Sequence, residues 1–255
     1  MKYKEGLPVA FLTFHIKSNA LELNTVVNVL IPQDVKKDEK LKVLYLLHGY
    51  LGDHTDWMRY TALERYSWNY RLAIVMPAVN NSYYTDTVSG LNYFTYVSKE
   101  LPEIMSSLLP ISTKREDNYV AGLSMGGYGA LKIALTYPER FSKAASLSGA
   151  LDIDHIRELA GDQTRKTWFN AVFGFKPSQQ TPADLIYLVD LHLKHNVMLP
   201  DLFIGCGTED FLYQDNLKFK KMLEDHQVKH VYIESPGGHD WAFWDLYIQK
   251  VLAWL

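Results

Sequence analysis

The chain has 255 residues, of which 47% are hydrophobic and 22% charged, so we expect one globular domain over residues 1–255 that needs no disulfide or metal for stability. Lys and Arg number 26 against 29 Asp and Glu, and the net charge of −3 argues against nucleic-acid binding. The single cysteine, Cys206, excludes an internal disulfide. The first residues of the chain lack the apolar core of a signal peptide, and no apolar run is long enough to cross a bilayer. We therefore expect a cytoplasmic protein without a membrane partner.

Eight short segments have the alternating or continuous hydrophobic pattern of strands. In chain order they are Val9–Lys17, Leu21–Ile31, Val43–Leu47, Leu72–Met76, Asn118–Gly122, Lys143–Leu147, Leu202–Gly205 and His230–Ser235. Six further segments have the apolar spacing of helices. They are Tyr96–Leu109, Met125–Tyr137, Arg165–Phe173, Ala183–Leu191, Leu212–His226 and Trp241–Leu255. Strands that alternate with helices predict an α/β fold with a mostly parallel central sheet flanked by helices, and the first two strands are expected to form an antiparallel edge.

The segment from Leu151 to Pro200 interrupts this alternation of strands and helices. It contains helical pattern but no clear core strand. We therefore expect residues 151–200 to form a lid-like insertion within the single domain, over one end of the sheet.

The stretch Gly122-Leu123-Ser124-Met125-Gly126 has the G-x-S-x-G pattern of a nucleophile elbow, and it lies between a predicted strand and a predicted helix. An elbow holds its serine in a strained turn, and glycines on both sides let that turn close without a steric clash. The following helix would present the Met125 N–H to a developing oxyanion. The alternative is a glycine-rich turn with an incidental serine.

A serine nucleophile needs a base that a third group holds in place, and in α/β-hydrolases the acid and then the base follow the serine along the chain. Glu209 and Asp210 both follow the strand that ends near Gly205, and we favour Asp210, although it could instead cap the next helix. His239 follows the last strand in a glycine-containing loop, which is the expected place for the base.

The loop after the third strand, Leu47-His48-Gly49-Tyr50-Leu51, is the candidate for the second half of the oxyanion hole. Gly49 allows a sharp turn, and the Tyr50 N–H is the preferred donor, with the Leu51 N–H second. We expect the His48 side chain to hold the loop rather than to take part in catalysis.

Aromatic residues are dense beside these motifs and predict a pocket with flat apolar walls for small esters. They are Trp57, Tyr83, Tyr84, Trp168, Phe169, Trp241 and Trp244. Of these we expect Trp57, Tyr84 and Trp241 to reach the substrate. We expect no metal and no cofactor, because the chain has no H-E-x-x-H or C-x-x-C motif.

Several stretches together resemble the α/β-hydrolase superfamily, in particular its esterase D-type branch and the bacterial tributyrin esterases within that branch. These stretches are LLHGYLGDHTDW, VMPAVNNSYYTDT, YVAGLSMGGYGALKIAL, FSKAASLSGAL, GTEDFLY and GGHDWAFW. The resemblance implies the α/β-hydrolase fold and a cytoplasmic homo-oligomer. It also implies a serine esterase for short acyl esters of small molecules, with Ser124, Asp210 and His239 as its triad.

Related proteins with the same scaffold define the alternatives. Feruloyl esterases share the scaffold, and S-formylglutathione hydrolases usually have a cysteine where this chain has Gly52, which argues against a glutathione thioesterase. An acyltransferase would use the same triad with a sugar or alcohol as acceptor. A catalytically silent binding protein is a further alternative, although all three triad residues are present.

Overall fold

A mostly parallel sheet of eight strands lies at the centre of the described part of the chain in the computed structural model, which describes residue 6 and residues 8–255. The strands are β1 (Val9–Ser18), β2 (Leu23–Pro32), β3 (Lys42–Leu47), β4 (Leu72–Pro77), β5 (Asn118–Leu123), β6 (Lys143–Leu147), β7 (Asp201–Gly207) and β8 (His230–Ser235). Their order across the sheet is β1-β2-β4-β3-β5-β6-β7-β8. β1 and β2 are antiparallel to their neighbours and the remaining pairs are parallel, which confirms the predicted antiparallel edge.

Helices flank this sheet on both faces. They are α1 (Asp56–Tyr60), α2 (Leu63–Ser67), α3 (Tyr93–Thr95), α4 (Leu101–Leu108), α5 (Met125–Thr136), α6 (Ile153–Leu159), α7 (Gln163–Phe173), α8 (Leu185–Lys194), α9 (Tyr213–Asp225) and α10 (Trp241–Trp254). A π-helical turn over Tyr96–Glu100 joins α3 to α4. The sequence pattern does not predict α1, α2, α3 or α6, because three to seven residues are too few for a repeated apolar spacing.

The central strands read as continuous apolar runs because helices cover both faces of the sheet. In β3, Val43, Tyr45 and Leu47 belong to the apolar cluster that contains α5. Leu44 and Leu46 belong to the cluster on the opposite face, which contains α10. Alternate residues of one strand therefore bury themselves against different helices, as the two-residue period of a strand requires.

The parallel strands determine where the functional loops lie. β5, β7 and β8 run in the same direction, so their carboxyl ends meet at one edge of the sheet. The residues after these ends are Ser124, the turn that contains Asp210, and the loop that contains His239. Three residues far apart along the chain are thereby brought to one edge, where α/β sheets bind their ligands.

The segment 151–200 contains three helices with different surroundings. α8 packs against α5, and the hydroxyl of Tyr128 donates to the carbonyl of Ala183 just before it, at 2.9 Å. α6 is joined to α9 by ion pairs of His155 with Asp215 (2.8 Å) and of Lys218 with Asp152 (2.6 Å). α8 thus belongs to the helical layer, whereas α6 and α7 lie beyond the carboxyl edge of the sheet.

Within residues 6 and 8–255, no helix is long and apolar enough to cross a membrane. The expectation that the chain lacks a signal peptide concerns its first residues, and residues 1–5 and 7 lie outside the described part.

Candidate active site

Ser124 lies at a sharp turn between β5 and α5, with φ 51° and ψ −116°. This conformation is costly for a residue with a side chain and persists only where the surroundings impose it. The neighbouring glycines allow the required close packing: a Cβ on Gly122 would lie 2.3 Å from the carbonyl oxygen of Gly126, and one on Gly126 would lie 2.5 Å from that of Leu47. The turn therefore projects the serine hydroxyl outward from the edge of the sheet.

The imidazole of His239 lies between Ser124 and Asp210. Its Nε2 is 2.9 Å from the Ser124 Oγ, and its Nδ1 is 2.9 Å and 3.0 Å from the two carboxylate oxygens of Asp210. In the tautomer that satisfies these contacts, Nδ1–H donates to the carboxylate and Nε2 accepts from the hydroxyl. The three side chains form one continuous chain of hydrogen bonds.

The Asp210 carboxylate is buried beneath His239. Burial raises the pKa of this carboxyl, but the hydrogen bond and charge of His239 and the N–H of Leu212 (2.8 Å) outweigh it, so the pKa is lower than usual. Asp210 thus contacts the imidazole and also accepts a bond from the turn before α9. The alternative acid, Glu209, is exposed and makes no hydrogen bond to His239 within the described residues.

The backbone N–H groups of Tyr50 and Met125 lie beside Ser124, and neither donates a hydrogen bond to an acceptor among the described residues. Met125 is the first residue of α5, and the N–H groups of a first helical turn have no acceptor within the helix. The N–H of Leu51 instead donates to Oδ1 of Asn81 at 2.7 Å. Tyr50 and Met125 are therefore available as oxyanion donors, whereas the N–H of Leu51 is already occupied.

His48 and Tyr84 hold the loop that contains Tyr50. Nδ1 of His48 lies 2.8 Å from the carbonyl oxygen of Gly49, and its Nε2 accepts from the N–H of Val79 at 3.2 Å. The hydroxyl of Tyr84 donates to the carbonyl of His48 at 2.9 Å. Both ring nitrogens of His48 are used by the backbone, so the structure gives His48 a positioning role.

A cavity of about 300 Å³ opens onto Ser124 and His239. On one side, α6 and α7 contribute side chains that include Trp168 and Phe169. On the side of His239, the wall contains Trp244, whose ring centroid lies 4.9 Å from that of the imidazole. The segment 151–200 therefore forms part of the cavity through α6 and α7.

The expectation for two of the three favoured pocket residues is wrong. Trp57 is 1% exposed, and its indole N–H donates to the carbonyl of Leu47 at 3.1 Å, so it supports the cavity from behind. Tyr84 is 0% exposed and lies so close to α5 that a Cβ on Gly129 would be 2.3 Å from its ring. Trp241 does line the cavity, and Tyr83 lies in its wall where Tyr84 was expected.

Three polar or aromatic side chains line the cavity that the sequence did not predict there: Asp56, Arg165 and Phe211. Phe211 directly follows Asp210, and its ring lies 4.6 Å from that of His239, so its place beside the acid was the available signal. Asp56 follows the loop that contains Gly49 and Tyr50 (the oxyanion loop) by a few residues, but it begins a helix that is too short to be predicted. Arg165 lies on α7, whose orientation over the site no pattern indicates.

We predict that His48 makes stability depend on pH. Burial lowers its pKa to about 4 from 6.5, and the hydrogen bond to Gly49 opposes this only in part. The imidazole of His48 therefore binds a proton more tightly in the unfolded chain than in the folded protein. Its contribution to the free energy of unfolding is complete above pH 6.5 and decreases as the pH falls toward 4. From about pH 7.5 to about pH 5, His48 should lower the free energy of unfolding by about 2 kcal/mol.

Urea denaturation of wild type and His48→Asn at both pH values measures this term, because asparagine retains a donor toward Gly49 but does not titrate. The stability difference between the two proteins should change by the stated amount. An unchanged difference would contradict the prediction.

Comparison with known proteins identifies the family. The Esterase family model matches residues 18–255. An acetyl esterase from Caldicellulosiruptor saccharolyticus is 34% identical over 261 residues, which cover 97% of this chain and 98% of that protein. Two solved structures from Staphylococcus aureus, each 35% identical and matched over 97% of this chain and 98% of theirs, superpose closely. Fluorophosphonate-binding serine hydrolase F, with substrate bound, has a TM-score of 0.90, and an S-formylglutathione hydrolase has 0.87.

These matches confirm the resemblance to the esterase D-type branch and the predicted fold. The chain belongs to the Esterase family, and it is a serine esterase, a carboxylic ester hydrolase with the α/β-hydrolase fold.

Proposed function

We propose that the protein hydrolyses short-chain acyl esters of small alcohols, with Ser124 as nucleophile, His239 as general base and Asp210 as the group that orients the imidazole. The observation that carries this proposal is the continuous hydrogen-bonded chain from Asp210 through His239 to Ser124, which ends in the cavity.

The proposed reaction has two steps. In the first, Ser124 Oγ attacks the ester carbonyl as Nε2 of His239 takes its proton, and the N–H groups of Tyr50 and Met125 bind the oxyanion. The alcohol then leaves with the proton from His239, and the acyl group stays on Ser124. In the second step, water gives a proton to Nε2 of His239 and attacks the acyl carbon. The bond between the acyl carbon and Ser124 Oγ then breaks, His239 returns the proton to Oγ, and the acid is released.

The size of the cavity supports a short acyl group. At about 300 Å³ it is at the lower end of the range for ligand sites. Tyr50, Tyr83 and Trp168 form an aromatic wall of the cavity, in which the ring centroid of Trp168 lies 5.1 Å from that of Tyr50 and 6.0 Å from that of Tyr83. We place the acyl group against this wall, because the alcohol half must lie where His239 can protonate it.

A glutathione thioesterase is the second candidate, because one structural relative is an S-formylglutathione hydrolase. Gly52 argues against it: a Cβ at this position would lie 1.9 Å from an Asp56 carboxylate oxygen, so the cysteine usual in those enzymes would not fit without moving Asp56. Rates with a formyl thioester against acetate esters would distinguish the two. Product analysis with added alcohols would identify an acyltransferase.

Three further expectations stay predictions. We propose that the part of segment 151–200 formed by α6 and α7 acts as a partial lid, since it supplies cavity residues. The other two are the cytoplasmic location and the homo-oligomer that the resemblance implies. Light scattering of the purified protein measures its oligomeric state.

Replacement of the nucleophile is the direct test. Ser124→Ala should lower the hydrolysis of p-nitrophenyl acetate by at least about a thousandfold, because no other hydroxyl of the described residues hydrogen-bonds to His239. A fluorophosphonate probe should label the wild type at Ser124 and leave the variant unlabelled. Far-UV circular dichroism is the control for folding, and a folded variant with full activity would refute the mechanism.

The two neighbouring carboxylates provide a matched pair. Asp210→Asn should lower kcat by about ten-thousandfold, because the amide no longer stabilises the imidazolium and favours the wrong tautomer. Glu209→Gln changes the same charge one residue away, and should retain kcat within about threefold because Glu209 does not contact His239. Equal losses in both variants would mean that Asp210 does not orient the base.

The acyl wall can be opened by one substitution. Trp168→Ala should raise the ratio of kcat/KM for p-nitrophenyl octanoate over acetate by about tenfold, because added methylenes would gain space now filled by the indole. Trp68→Ala removes a half-exposed indole outside the cavity and should leave the ratio unchanged. An unchanged ratio in Trp168→Ala would place the acyl group elsewhere.

A further inference from the structure

Asp56 brings into the catalytic cavity a carboxylate that the mechanism does not use. It is the first residue of α1, it is partly buried, and it lines the same cavity as Ser124 and His239. Asp56 is the one carboxylate among the residues that line this cavity, whose walls are mainly aromatic and aliphatic and whose other charged side chain is Arg165, so it bears directly on which substrates can bind.

The carboxylate of Asp56 has no hydrogen bond or ion pair with another side chain of the described residues. Burial raises its pKa, and the backbone of Asp53 and the charge of Arg59 offset this effect only in part. A partly desolvated acceptor without a side-chain donor is stabilised by any ligand that supplies one.

Gly52 gives this carboxylate its space. A Cβ on residue 52 would lie 1.9 Å from Oδ2 of Asp56 and 3.2 Å from the carbonyl oxygen of Gly49. The missing side chain at position 52 and the carboxylate at position 56 are therefore complementary, and together they shape the cavity beside the oxyanion loop.

Aromatic contacts link Trp57, the chain neighbour of Asp56, to the side of the cavity that contains His239. The ring of His239 is 4.9 Å from that of Trp244, which is 5.2 Å from that of Trp241. Trp241 is in turn 5.3 Å from Trp57, the neighbour of Asp56 in the chain. Because His239 must protonate the leaving oxygen, the alcohol half extends along this wall.

We propose that Asp56 is a specificity-determining residue that accepts a hydrogen bond from a hydroxyl of the alcohol half, so that the favoured substrates are short acyl esters of uncharged, hydroxyl-bearing alcohols. The inference rests on the proposed function and adds the class of alcohol to it. Trp241, whose ring lies 5.0 Å from that of Tyr60, provides an apolar face for the carbon skeleton of such an alcohol. An anionic alcohol is repelled by the same carboxylate.

A matched pair of esters tests the proposal in the unaltered protein. Glycerol 1-acetate carries two free hydroxyls, and 2,3-dimethoxypropyl acetate carries methoxy groups in their place. Wild-type kcat/KM should favour the first by about tenfold, as expected for a hydrogen bond to a charged acceptor. Equal values for the two esters would overturn the proposal without any variant having to fold.

Variants then assign the preference to its residue. Asp56→Asn should lower the ratio of the two kcat/KM values about threefold, and Asp56→Ala should reduce it to about one. Glu64→Gln, which removes a carboxylate outside the cavity, should leave the ratio as in the wild type. If Asp56→Ala slowed both esters equally and kept the ratio, Asp56 would support only the loop, and the proposal would fail.

Acetylcholine, a cationic ester without a hydroxyl, separates charge from hydrogen bonding. If it were a better substrate than glycerol 1-acetate and lost this advantage in Asp56→Asn, the residue would recognise positive charge and the proposal would be overturned. Failure of the proposed function looks different, because Ser124→Ala would then still hydrolyse all these esters. If only the inference fails, every hydrolysis still depends on Ser124.

Discussion

The strained turn at Ser124 is the constraint on which the rest of the site depends. Its positive φ is maintained because β5 is paired on both sides and the Ser124 N–H donates to the carbonyl of Leu147 at 2.8 Å. Gly126 packs directly on the carbonyls of Leu47 and His48, so the start of α5 and the oxyanion loop touch. Ser124, the proposed nucleophile, and both candidate oxyanion donors are thus held by one close backbone contact, which leaves no room for a side chain on Gly126.

On the side of Ser124 where His239 lies, the electrostatics of the site follow from the burial of the Asp210 carboxylate. Removing the carboxylate of Asp210 from water is unfavourable, and the donors that offset this are the imidazole of His239 and the N–H of Leu212. The carboxylate therefore stays ionised and keeps the imidazole in one tautomer. Burial drives His48 toward its neutral form, because no carboxylate of the described residues hydrogen-bonds to it and the charge of Asp53 opposes burial only in part; its ring nitrogens bond to the backbone instead.

The strands of the sheet could be predicted because the central ones are short, buried, apolar runs and β1 alternates between more and less exposed residues, and all eight predicted strands are present. Ser124, Asp210 and His239 could be placed together because they follow the ends of parallel strands, a relation that depends on topology alone. The cavity wall could not be predicted in the same way. Whether Tyr83 or its neighbour Tyr84 faces the cavity depends on backbone angles, since both have φ of 49°, and the sequence pattern is the same for either.

The difference between the ends of the strands, which the sequence predicts, and the cavity wall, which it does not, also explains which part of this fold determines substrate specificity. The proposed triad and the candidate oxyanion donors depend on strand ends and backbone N–H groups, which tolerate little change. Gly52 and Asp56 lie in the loop and the short helix after β3, where substitutions leave the sheet intact. Because a side chain at position 52 would meet the carboxylate of Asp56 where it now lies, a substitution at either position changes the shape of the cavity beside the loop after β3. Substrate preference can therefore diverge at this pair while the chemistry at Ser124 stays the same.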